Sequence, residues 1–249
     1  MIYYLTQQGL TVPEMVIYAC ILILVLVFSL TIHEVMHGFV AYKLGDDTAK
    51  LAGRLTFNPL AHLDPLGTLM MLLAGFGWAK PVPVNYSRLT RLKSKNTAVR
   101  LVSVAGVTSN FVVAWISYLV FLLLTLIGMK TGIASDLIRG GSQSFVSLLL
   151  SIFTQLFYFM YIFNLMLMAF NLLPLPPLDG YHFLETFFPY KWRGFLHSYE
   201  RYAGIILLVL IIVGNFSGFS PLGTLIGWIE TPFKFIIEKP LIFLAGLLV

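Results

Sequence analysis

Charge is what this sequence has least of. Lys, Arg, Asp and Glu make up 11% of its 249 residues, against about 25% in an ordinary soluble domain. Hydrophobic residues make up 58%, in long runs and not in alternation with polar ones, and the mean hydropathy is +0.87. That excludes a soluble globular chain and leaves an integral membrane protein with a single domain, residues 1–249. Cysteine is almost missing as well. A lone Cys20 excludes an internal disulfide and a thiolate metal cluster, and its place inside an apolar run makes it a core or lipid-facing residue. A signal-peptide pattern is also lacking. MIYYLTQQGLTVPEM has no basic stretch and no small-residue cleavage site follows, so the first span is expected to be retained.

What is there is a series of apolar spans. Four are strong: about Pro13 to Leu44, Ala98 to Gly128, Phe145 to Leu173, and Tyr202 to Ile229, the last interrupted by GNFSGFSPLG. The tail PFKFIIEKPLIFLAGLLV reads as an interfacial helix or a partial span. Between the first two spans GRLTFNPLAHLDPLG is turn-rich, LGTLMMLLAGFGW is apolar but short, and PVPVN alternates as an edge strand would. The expected fold is therefore an all-α polytopic membrane protein with about four main transmembrane helices and a re-entrant or short β region between the first and second. A catalytic core of about 13–188 is followed by a C-terminal helical segment of about 202–249.

The net charge of +5 does not call for nucleic acid, because the basic residues sit in short loops beside apolar runs. Lys43, Lys50, Arg54, Lys80, Arg88, Arg91, Lys93, Lys95 and Arg100 face only Asp46, Asp47 and Asp64 in the first loop region. The positive-inside rule places that region in the cytoplasm. The third span then returns to the same side, so LPLPPLDG is expected to meet the C-terminal end of the first span.

That end carries HEVMH, residues 33–37. His33 and His37, four residues apart, stack on one helix face and can chelate one cation. Glu34 points about 100° away from His33, beside the cation and not at it, which suits a base acting on water that zinc has made acidic. Ionisable groups inside an apolar span need a reason, and a functional site is the default one. A catalytic zinc usually has three protein ligands. The candidates for the third are Asp179, Glu185, His182 and Asp64. Asp179 has the most suggestive surroundings, a proline-broken helix end followed by glycine, although it could also cap the next helix. His62 and Asp64 fit better as braces of their turn.

HEVMH in the first span together with NLLPLPPLDG resembles the site-2 protease family of intramembrane zinc metalloproteases, in its compact prokaryotic branch without PDZ or CBS domains. GRLTFNPLAHLDPLG and FGWAKPVPVN are similar as well, so the likeness covers nearly the whole chain. The resemblance implies Zn2+ on His33, His37 and Asp179, Glu34 as the catalytic base, and a transmembrane protein substrate cut within the bilayer of a prokaryotic cell membrane. It also implies substrate contacts at Asn171 and at Asn110, the end of GVTSN, where the family has Gly-Pro-x-x-Asn and this chain has Val107 in place of the proline. The competing functions are a metal-ion transporter, which would spread its ligands along a pathway, and a catalytically silent scaffold, for which so complete a set of polar groups has no use.

Overall fold

The structure is a computed structural model that describes residues 11–67, 79–132, 144–216 and 220–246. Helix α1 (Val12–Lys43) starts where the Glu14 carboxylate reaches back to the Thr11 N–H at 2.8 Å and Pro13 occupies the first turn. It ends at Gly45, whose φ of +112° is open only to glycine at little cost. Its 32 residues span about 48 Å, well beyond a hydrocarbon core of about 30 Å. Helix α1 is therefore longer than a perpendicular crossing needs, and HEVMH lies toward its C-terminal end.

After a short helix, α2 (Thr48–Leu51), the long helix α3 (Lys95–Lys130) begins at Ser94, whose Oγ accepts from the Thr97 N–H. Helix α4 (Phe145–Asn171) is capped by Ser144 in the same manner. Prolines 174, 176 and 177 stop α4, and the chain turns into α5 (Asp179–Glu185). Gly180 makes this turn possible, since a Cβ there would fall on the carbonyl oxygen of Leu172. Helices α6 (Arg193–Phe216) and α7 (Pro221–Gly246) follow.

Helix α3 is the centre of the packing and touches α1, α4, α5 and α7. Val107, Ala114 and Tyr118 of α3 meet Tyr161, Leu165, Met168 and Ala169 of α4, with Ile237 and Leu241 of α7 closing the cluster. A second cluster joins Ile21 and Val25 of α1 to Met160 of α4. The outward faces keep large apolar side chains exposed, such as Leu24, Phe28, Ile116, Leu123 and Phe153, as lipid contact requires. Among the described residues, four helices are long and apolar enough to cross a membrane: Val12–Lys43, Lys95–Lys130, Phe145–Asn171 and Gly194–Gly214. The interrupted fourth span is thus two helices, and the tail segment continues the second of them, α7.

The short β region expected between the first two spans is not formed. Among the described residues there is no β-strand, only one isolated antiparallel bridge between Leu63 and Ala79. The apolar segment LGTLMMLLAGFGW falls mostly on residues 68–78, outside the described residues. The physical reason lies in the hydrogen-bonding groups of PVPVN. Pro81 and Pro83 have no N–H, the Val82 N–H is taken by Glu34 (2.8 Å), and the Asn85 N–H is taken by Asp46 (2.6 Å). Arg54 Nη2 binds the carbonyls of Lys80 and Pro81. With the Val82 and Asn85 N–H groups and the Lys80 and Pro81 carbonyls engaged by side chains, and no N–H on either proline, the segment presents no regular row of donors to a neighbouring strand. The segment is a strap tied across the end of α1.

Asp46 is the knot of that strap. Fully buried, it accepts from the Thr48 N–H (3.0 Å), the Thr48 hydroxyl and the Asn85 N–H. Burial alone would push its carboxyl up, but these donors outweigh it and hold the carboxyl below its ordinary value. The tie is therefore complete above the ordinary aspartate pKa and is lost only as pH falls through the lowered one. Asp46→Ala should lower stability by about 2–3 kcal/mol, read as a lower unfolding midpoint in detergent. An unchanged midpoint would show that the strap is held elsewhere.

Candidate metal centre

Helix α1 delivers His33 and His37 one turn apart, 5% and 9% exposed. The turn after α4 delivers Asp179 to the same point. His33 Nε2 and His37 Nε2 each lie 3.2 Å from Asp179 Oδ2 and 3.0 Å from each other. Ligand atoms on a tetrahedral zinc of ordinary bond length stand about 3.3 Å apart, so the three donors match the edges of such a shell. His37 Nδ1–H donates to the Val102 carbonyl of α3 at 2.8 Å. That bond fixes the tautomer in which Nε2 offers a lone pair. Among the described residues no hydrogen-bond donor reaches Asp179 Oδ2, although it is buried. A carboxylate oxygen with two imidazole nitrogens and no proton donor is a site for a cation. Among the described residues, His33, His37 and Asp179 form the one group of three such side chains that could hold a metal ion.

Helix α3 supplies the wall behind the imidazoles. A Cβ on Gly106 would stand 2.7 Å from His33 Nδ1 and closer still to His37 Nε2. The helix can approach so closely only because residue 106 has no side chain. Val107, the departure from the family motif, points instead into the core shared with α4, so the missing proline leaves the metal-facing side of α3 unaltered. Motif likeness pointed to Gly106, but its role as a cradle needed the helix pairing. Val102 contributes through its backbone, and no residue-type pattern can signal that.

The other candidates lie elsewhere. His182 Nδ1 pairs with Glu185 Oε1 at 3.2 Å, with its ring near Tyr86. His62 Nε2–H donates to the Thr56 carbonyl (2.8 Å), and Asp64 Oδ1 accepts from the Gly67 N–H (2.7 Å), so both brace their turn. Glu34 is half-buried, with Oε2 on the Val82 N–H. Asn171 ends α4 with its amide nitrogen on the Leu167 carbonyl at 2.9 Å. Asn110 is fully enclosed between helices, and its Nδ2 has no partner among the described residues.

Gly106→Ala should displace the imidazoles and weaken zinc binding about tenfold or more, with helix content unchanged. Zinc content per chain checks this, and wild-type affinity in the variant would contradict the cradle.

Comparison with known proteins agrees with this geometry. The sequence profile described as peptidase family M50 matches residues 21–213. YwhC of Bacillus subtilis (strain 168), itself described as a candidate zinc metalloprotease, is 44% identical over 207 residues, covering 83% of this chain and 84% of that protein. Rip2 of Mycobacterium tuberculosis (strain H37Rv), described in the same way, is 29% identical over 193 residues, covering 76% of this chain and 66% of that protein. Rip2 of Mycolicibacterium smegmatis is 27% identical over 187 residues, with 74% and 63% covered. No solved structure matches the chain significantly. The four apolar helices, the His33–His37–Asp179 cluster and these relatives lead to one conclusion: the chain belongs to peptidase family M50, the zinc metalloproteases of the membrane.

Proposed function

We propose that this chain hydrolyses a peptide bond in or beside a transmembrane segment of a substrate protein, with Glu34 as the general base. One observation carries the proposal: a carboxylate that is not among the three metal-facing groups stands next to His33 on the same helix, with Oε2 fixed by the Val82 N–H at 2.8 Å. Zinc in such a site supplies Lewis acidity, polarising a peptide carbonyl and making water deprotonatable near neutral pH. Glu34 takes the proton from the attacking water and passes it to the departing amine. The strap holds the carboxylate in place for both transfers. His37, oriented by Val102, keeps its lone pair directed at the metal throughout.

Asn171 is the residue we assign to contact with the substrate backbone, since it ends α4 just before the turn that brings in Asp179. We also assign the site to the cytoplasmic side. The stretch from the strap to the start of α3 carries Arg88, Arg91, Lys93 and Lys95, the charge that marks cytoplasmic loops.

Glu34→Gln keeps an oxygen for the Val82 N–H and removes only the base. It should retain zinc at wild-type stoichiometry and cleave a model transmembrane substrate about 10²–10⁴-fold more slowly. Asp179→Ala should lose both zinc and cleavage. Zinc per chain and substrate cleavage, measured on the same preparations, decide the matter. Undiminished cleavage by Glu34→Gln would remove Glu34 as base, and zinc moving across a vesicle membrane without cleavage would favour a transporter.

A further inference from the structure

One helical turn deeper than the histidines lies a second polar layer that has no task in the chemistry above. Asn164 of α4 and Asn110 of α3 are fully enclosed, and Ser29 of α1 is 1% exposed. The pairing of α1 with α3 sets their level. Val102 meets His37 and Gly106 faces His33 and His37, so the helices run antiparallel and Asn110 comes level with Ser29. Asn164 Nδ2–H donates to Ser29 Oγ and to the Met160 carbonyl, both at 2.8 Å, and the Ser29 hydroxyl donates to the Val25 carbonyl at 2.6 Å. Both groups facing the Asn164 nitrogen are acceptors, which fixes which side of that amide is oxygen.

Among the described residues, three polar atoms around this layer have no partner: Asn164 Oδ1, Asn110 Nδ2 and His33 Nδ1. Lipid offers none. A histidine that binds metal through Nε2 carries its proton on Nδ1, and that proton needs an acceptor. His37 has the Val102 carbonyl for this purpose, and His33 has no equivalent group. The inventory is two donors, His33 Nδ1–H and Asn110 Nδ2–H, and one acceptor, Asn164 Oδ1. A single water within reach of all three would satisfy them, with two lone pairs for the donors and a hydrogen for the acceptor.

We propose that Ser29, Asn110 and Asn164 build a buried water site beneath the zinc ligands, and that Asn164 positions His33 through it. Ser29 anchors the Asn164 amide, the amide orients the water, and the water takes the His33 Nδ1 proton and holds the ring square to the metal. Asn110 supplies the water's other donor. This rests on zinc binding by His33 and is independent of Glu34 as base.

The test uses the full chain in detergent on a Glu34→Gln background, so that cleavage plays no part in the readout. Zinc release to excess chelator and the visible spectrum of the cobalt-loaded protein are compared for the parent, Asn164→Leu, Asn164→Asp and Asn110→Leu. Asn164→Leu should release zinc about 10–100-fold faster and shift the cobalt ligand-field bands. Asn164→Asp keeps a carbonyl oxygen at the Oδ1 position and should stay closer to the parent than Asn164→Leu does. Should Asn164→Leu fail to fold, Asn110→Leu carries the same expectation, because it removes a donor to the same water. Parental release and parental spectra in a folded Asn164→Leu or Asn110→Leu would overturn the proposal and leave the layer as helix-to-helix adhesion alone.

Discussion

Two imidazole nitrogens and one carboxylate oxygen face each other at 3.0 to 3.2 Å inside a largely apolar protein. Three electron-rich atoms so close together repel one another unless a cation lies between them, and lipid cannot screen them. Much else in the fold serves that convergence. Helix α1 carries its histidines toward its C-terminal end, α4 breaks at its prolines so that Asp179 can turn back, and α3 carries a glycine where the rings need room.

Helix α3 makes the arrangement rigid. Its backbone binds His37 at Val102, its bare Gly106 admits both rings, and its opposite face fills the core against α4. A helix fixed on two sides cannot drift away from the histidines, so the metal site inherits the stiffness of the packed core. The strap does the same for Glu34. Asp46 binds it at Asn85 and Glu34 binds it at Val82, so the proposed base is held by a segment that is itself anchored to the end of α1.

The spans and the metal site were largely legible in the sequence, because helical periodicity turns a spacing of four residues into a shared face and prolines announce where a helix stops. His33, His37 and Asp179 came together as the spacing and the loop charges implied. The strap was misread as a strand edge. PVPVN alternates like one, but strand formation depends on where backbone donors go, and those partners, Glu34 and Asp46, are distant in the chain. Gly106 was visible only by motif likeness, and nothing in the sequence singled out Asn164. Their roles depend on which helix faces which, and periodicity within a single helix does not encode that.

The central claim is that one zinc is held by two imidazoles from α1 and one carboxylate from α5. X-ray absorption at the zinc edge, on the purified full-length chain in mild detergent, tests it most directly. The account predicts one zinc per chain with four light N/O neighbours at about 2.0–2.1 Å and the outer-shell scattering of two imidazoles, reduced in Asp179→Ala. A sulfur neighbour at about 2.3 Å, scattering from a single imidazole, or a spectrum unmoved by Asp179→Ala would contradict it.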